Sequence, residues 1–363
     1  MRAAQPHQLP NSLLAACLLS LTLTACGGGG GDDPEPAAPD PIPAAPDPAP
    51  APTDDDASLA TGGCSNTVIV DGFAYGACGT EIEVVSLADL SRSLVPVAAN
   101  DIAADPAAGL LFTQAGTTLS LLSLADPAEP VLQDSATTNF SAFSGVSAAS
   151  GVLVVSAGAG SADTQVYTYT DTELTLATDG IPELDAAVGN PDVTVVATAT
   201  GVTAYYSQDI AAVANFAIQP VLLDTNGEVL SVLPDVVLTP RAFVSNSAFS
   251  PANFPVESEF LDNQLFVANF AAEGIEVIDL ANNNALLSPI PLPYEPTNLT
   301  TDGTLLFVVG LTNDTVDIID PAAAAVTDSL TPAAPFVEPV GVAASITHVA
   351  VADRTNGLVV IAR

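Results

Sequence analysis

Lysine and tryptophan are absent from this chain of 363 residues, and only five arginines stand against 42 acidic residues. The formal charge is −37. With so few cations no basic face can form to displace phosphate counterions, so nucleic acid is excluded as a partner. An anionic membrane surface is disfavoured for the same reason. Arg92, Arg241, Arg354 and Arg363 leave little for gripping a phosphorylated substrate. Histidine occurs twice, as His7 and His348. A Ser-His-Asp triad would have to use His348, and no Gly-x-Ser-x-Gly elbow surrounds any serine. No Cys-x-x-Cys-His run exists to attach a c-type haem. Gly158-x-Gly160 follows a strand with no helix behind it, which argues against a dinucleotide site. No stretch carries a sustained 3.6-residue apolar stripe, so long helices are not expected. What the chain does have is 48% hydrophobic and 13% charged residues. That is too apolar for an acidic disordered tail and ample for a large core.

The first 31 residues contain one formal charge, Arg2. The apolar run Leu13 to Leu23 falls short of the roughly 20 residues a membrane span needs. It suits the hydrophobic region of a secretory signal. It ends in Leu23-Thr24-Ala25-Cys26, which resembles the lipobox of bacterial lipoproteins. The resemblance implies cleavage of residues 1–25, a lipid on Cys26 and, with Gly27 rather than Asp behind it, sorting to the outer membrane. Five glycines, Gly27 to Gly31, then lead into a stretch rich in Pro, Ala and Asp that runs to Asp56. The glycine run lacks the strand, helix and Lys of a phosphate-binding loop. Residues 26–56 therefore read as a flexible, self-repelling, disordered tether.

From about Cys64 one pattern recurs: an apolar strand, a short polar loop and a second apolar strand. Copies begin near Phe73, Leu110, Val152, Val193, Gln264, Leu305 and His348. Val, Ile, Leu, Phe and Tyr fill the strands, and Gly, Asn, Asp and Thr the loops. A period of about 40 residues with several short strands per unit is the signature of a β-propeller blade. The expectation is an all-β propeller over residues 57–363, with seven four-stranded blades; eight or six are the alternatives. The step from Val193 to Gln264 is longer and leaves room for an insertion near 224–258, beside a poorly formed fourth blade. Because the last strand, Gly357 to Ala362, stands one short of a full blade, Ala57 to Thr61 is expected to supply the missing outer strand and close the ring.

The strands IEVID (275–279), VDIID (316–320), IEVVS (82–86) and LSLLS (119–123), with the turn SLADPAEPVL (123–132), resemble the LVIVD and YVTN repeats of bacterial surface propellers. The resemblance implies architecture and an envelope setting, not an activity.

With Cys17 in the signal and Cys26 lipidated, Cys64 and Cys78 remain as a pair in an oxidising compartment. Asp71-Gly72 marks a turn between them. A three-residue loop Val70-Asp71-Gly72 would pair Ile69 with Phe73 and set Cys64 opposite Cys78, close enough for a disulfide. Two thiolates with no His or further Cys nearby cannot complete a zinc site.

Carboxylates are the one plentiful reactive group. Asp279, Asp320 and Asp353 end strands in successive repeats and could gather at one rim to hold Ca²⁺. Aspartate at a strand end is also a common turn former. Two functional readings follow. One is a lipid-anchored, monomeric envelope propeller that binds a protein, peptide or glycan without catalysis and needs no cofactor. The other is a hydrolase or lactonase with a carboxylate–metal centre. Three or more carboxylates converging on the central channel would favour the second, and smooth, apolar or amide-lined rims the first.

Overall fold

Short runs of β-branched and aromatic residues, broken every few positions by Gly, Asn or Asp, can satisfy their backbone only as antiparallel hairpins. The computed structural model describes residues 60, 62–139, 145–156, 164–181, 184, 192–210, 215–238, 257–269, 273–310, 313–332 and 334–363. They belong to one unit, Pro52–Arg363. The lipobox Cys26, the signal, the tether and Arg241 lie outside the described residues.

The described strands form seven antiparallel sheets, which are the blades. Blade one is β1 (Asn66–Val70), β2 (Phe73–Ala77), β3 (Ile82–Ser86) and β4 (Arg92–Val95). Blade two is β5 (Asp101–Asp105), β6 (Leu110–Ala115), β7 (Thr118–Ser123) and β8 (Val131–Thr137). Blade three is β9 (Val146–Ala149), β10 (Val152–Ser156), β11 (Thr164–Tyr169) and β12 (Leu174–Asp179). Blade four is β13 (Val193–Thr198), β14 (Gly201–Ile210), β15 (Asn215–Asp224) and β16 (Val229–Val232), with β17 (Val236–Val237) also on β15. Blade five is β18 (Ser258–Leu261), β19 (Gln264–Asn269), β20 (Gly274–Asp279) and β21 (Ala285–Leu286), with β22 (Ile290–Pro291) also on β20. Blade six is β23 (Pro296–Thr301), β24 (Leu306–Gly310), β25 (Thr315–Asp320) and β26 (Ala325–Leu330). Blade seven has β27 (Pro339–Ala344), β28 (His348–Asp353) and β29 (Gly357–Ala362).

The first strand of every blade contacts the first strands of both neighbours, and β27 meets β1, so the ring closes. Seven blades are therefore present, and the eight- and six-bladed alternatives fall away. The core is correspondingly split into seven wedges, one between each pair of blades. In β10, Val152 and Val154 pack toward blade four while Leu153 and Val155 pack toward blade two. In β24, Leu306 and Val308 face blade five while Phe307 and Val309 face blade seven. A strand buried on both faces reads as an unbroken apolar run, which is why the repeats stand out in the sequence.

Two expectations need correction. Blade four is well formed, since β14 and β15 pair over ten residues each. The start of the supposed insertion supplies that blade's outer strand β16 and the short β17; residues 239–256 lie outside the described ones. Second, the register of the first hairpin is shifted by one. Val70 pairs with Phe73 and Ile69 with Ala74, so the loop is the two-residue Asp71-Gly72. Both have positive φ, 50° and 81°, as the turn that matches strand twist requires. Ala57 to Thr61, apart from Ala60, lies outside the described residues.

Candidate functional site

The inner strands of all seven blades line a central cavity of about 630 Å³. A polar belt runs around it, built by side chains at or just before the start of the inner strands. Asn66 Nδ2 donates to Asp101 Oδ1 at 2.6 Å, and Asp101 Oδ2 accepts the Val146 N–H at 2.9 Å. Ser147 Oγ accepts the Val195 N–H at 3.0 Å, and Thr194 Oγ1 donates to the Ser258 carbonyl at 2.6 Å. Asp192 accepts the Ser258 N–H, and Glu257 is hydrogen-bonded by Asn298. Asn298 Oδ1 in turn accepts the Val342 N–H at 3.1 Å. Each contact ties one inner strand to the next, so this belt is where the blades are stitched together.

Four of its lining groups are carboxyls: Asp101, Asp192, Glu257 and Glu259. They border the lumen yet are enclosed by protein, and burial is the main influence on all four. Burial lifts Asp101 to about 6, offset in part by its bonds from Asn66, Ile102 and Val146. It lifts Glu259 to about 7 against a single bond from Phe260 N–H. Asp192 is raised by burial and then by the charge of Asp101. Glu257 is pushed well up by burial and by Asp192 and Asp101. No Arg or His lines the cavity among the described residues. Arg92 pairs with Glu83, Arg354 with Glu338 and Arg363 with Asp302, all away from the channel.

The strand-end aspartates act differently. Asp279 accepts the N–H groups of Ala281 and Asn282, and Asp320 those of Ala322 and Ala323. Asp353 accepts four, from Thr355, Asn356, Val337 and Glu338. Each closes its own turn, Asp353 also holding the segment before β27, and among the described residues they are not gathered into one cation site. His348 opens β28, with Nδ1 2.9 Å from Thr347 Oγ1 and its pKa lowered by partial burial.

Among the described residues, three metal-capable ligand atoms come within 4.8 Å of one another only at Cys64, Cys78 and Glu83. There the two cysteines are joined to each other as the expected disulfide, with Cα atoms 4.0 Å apart, so neither offers a thiolate. The channel carboxyls converge on one cavity, but no three of them approach that closely.

The channel acids were not among the residues singled out from sequence. Their signal is faint: a single polar residue at the head of an inner strand, Asn66, Asp101, Asp192 or Glu257, outside the conspicuous middle hairpins.

No family model matches the chain, and no curated protein matches it. Solved structures do. The crystal structure of the WD40 β-propeller domain of Doa1 superposes with a TM-score of 0.58 at 12% identity, covering 85% of this chain and 95% of that one. At that identity the likeness concerns the fold.

Proposed function

We propose that this chain is an envelope propeller, held by a lipid on Cys26 and a Gly/Pro/Asp tether, that acts as a non-catalytic binding or scaffold module for a protein, peptide or glycan. The observation that carries the reading is the closed seven-blade ring, which mounts its loops on a rigid frame. The order of signal, lipobox, tether and ring supports a domain held away from a membrane. The amides and hydroxyls on the cavity walls, from Asn66, Asn298, Ser147 and Thr194, agree with the binding reading.

A carboxylate–metal hydrolase or lactonase is the second reading. It is favoured by the convergence of four carboxyls on the channel, and opposed by their spacing, which provides no three-oxygen ligand set.

The test has two arms. Wild-type protein should partition with membranes and incorporate a palmitate analogue, and Cys26→Ser should do neither. On envelopes from its own cells, the purified propeller should show saturable binding that an excess of unlabelled propeller competes away. Labelling of the Cys26→Ser protein would overturn the anchor. Absence of saturable binding, together with lactone or ester hydrolysis that EDTA abolishes, would replace the binder with the enzyme.

A further inference from the structure

The polar belt can be built without charge. Asn298 joins blade six to blade seven by accepting the Val342 N–H through a neutral amide. Asp101 accepts the Val146 N–H and Asp192 the Ser258 N–H in the same manner. Asp101 uses both of its oxygens as acceptors, from Asn66 Nδ2 and the Val146 N–H, but at Asp192 an amide oxygen could accept the Ser258 N–H, so an ionisable group there adds something that stitching does not require. That group shares the central cavity with Asp101, Glu257 and Glu259, where the described lining contains no cation.

We propose that the central channel is a proton-controlled latch. With protons on its carboxyls, the bonds they accept from neighbouring inner strands hold the ring without opposition from like charges. When the carboxyls ionise, they repel one another across the cavity and loosen the ring.

The groups facing the lumen can be named strand by strand. β5 contributes Asp101, the residue preceding β13 contributes Asp192, and the entry to β18 and the strand itself contribute Glu257 and Glu259. From β1 and β23 the polar partners are the neutral Asn66 and Asn298, and from β9 Ser147. β27 offers only Val342, Ala343 and Ala344. No group on any of these strands can neutralise an ionised carboxyl.

The direction follows from linkage. All four groups hold protons more tightly in the fold than an exposed carboxyl does. A raised carboxyl pKa contributes stability that is complete below the unfolded value and is lost as pH rises through the folded value. With Asp101 at about 6 and Glu259 at about 7, that loss extends from roughly pH 4 to just above pH 7. Exposed carboxyls have finished titrating by then. His348 has the opposite sign, because its pKa is lowered and its contribution grows with pH.

The experiment is thermal unfolding of the full chain in EDTA between pH 5 and pH 8.5. The melting temperature of the wild type should fall by about 5 °C or more across that interval. Asp192→Asn and Glu257→Gln should each melt higher than the wild type at pH 8, with the fall reduced to less than half. A flat or rising wild-type profile, or variants that keep the whole slope, would overturn the proposal. Infrared spectra of the wild type provide a reading that does not depend on variants folding. A protonated-carboxyl band should persist at pH 6 and disappear by pH 8.5, and its absence at pH 6 would overturn the latch.

Discussion

At the scale of the residue, a buried ion pair stands out. The Arg92 guanidinium lies 3.0 Å from Glu83 Oε1 and donates to the Leu358 carbonyl at 2.9 Å, with Glu83 fully buried. The pair belongs to blade one, and its third contact reaches into blade seven. Removing only the cation takes the counter-charge from a buried carboxylate, whereas removing both ions leaves a space that apolar side chains can fill. Arg92→Met should therefore lower unfolding free energy by about 3–5 kcal/mol. The double variant Arg92→Met/Glu83→Met should recover most of that loss. Urea denaturation checks both, and a double variant as unstable as the single one would show that the pair does more than neutralise itself. Close approach sets a second residue. A Cβ on Gly63 would lie 1.7 Å from the Arg354 carbonyl oxygen, so Gly63→Ala must push the chain off blade seven.

At the scale of the element, the first hairpin shows how a disulfide can be foreseen through a mistaken register. Regular pairing from the Asp71-Gly72 turn would set Cys64 opposite Gly79 rather than Cys78. Beyond Asn66 the ladder departs from that register, as Ser65 N–H donates to the Ala77 carbonyl, and the shift returns Cys64 to Cys78. Thiol titration of the unfolded, unreduced domain should find no free thiol from this pair. The disulfide packs with Leu358 and Val360 in the wedge between blades seven and one, so reduction should destabilise this seam. Closing a loop of this size contributes roughly 3 kcal/mol in the chain-entropy model. A Cys64→Ala/Cys78→Ala variant that melts at the wild-type temperature would refute that contribution.

At the scale of the whole molecule, stability depends on how the ring is shut. Each wedge needs two blades, so an opened ring exposes two apolar faces at once. Blade seven has three described strands, which leaves β29 as their outermost. The chain entering blade one touches that blade: Cys64 N–H donates to the Asp353 carbonyl at 3.1 Å, and Ala60 packs against the wedge that contains Leu358 and Val360. Deleting residues 27–52 should leave the melting temperature unchanged. Deleting 27–63 should lower it and promote aggregation through the β29 edge. Removing Gly357 to Arg363 should be at least as damaging. An unchanged melting temperature after loss of 27–63 would show that the closure does not need this segment.

The sequence by itself determined that strands dominate and that they repeat about every 40 residues, because burial on both faces writes an apolar run into every middle strand, while closure of the ring decided seven blades over six or eight. Cys64 and Cys78 were legible by elimination, as the even pair left once Cys17 and Cys26 are read into the leader and its lipobox. Tertiary structure alone decided the hairpin register, since a one-residue change of loop length moves the whole pairing. It also decided that β16 belongs to blade four, and that Asp279, Asp320 and Asp353 close local turns instead of meeting. Above all it decided the channel. Asp101, Asp192, Glu257 and Glu259 are scattered over more than 150 positions and look like ordinary polar residues. Only closure of the ring brings the inner strands around one axis, and the burial it creates raises the proton affinity of four separate carboxyls.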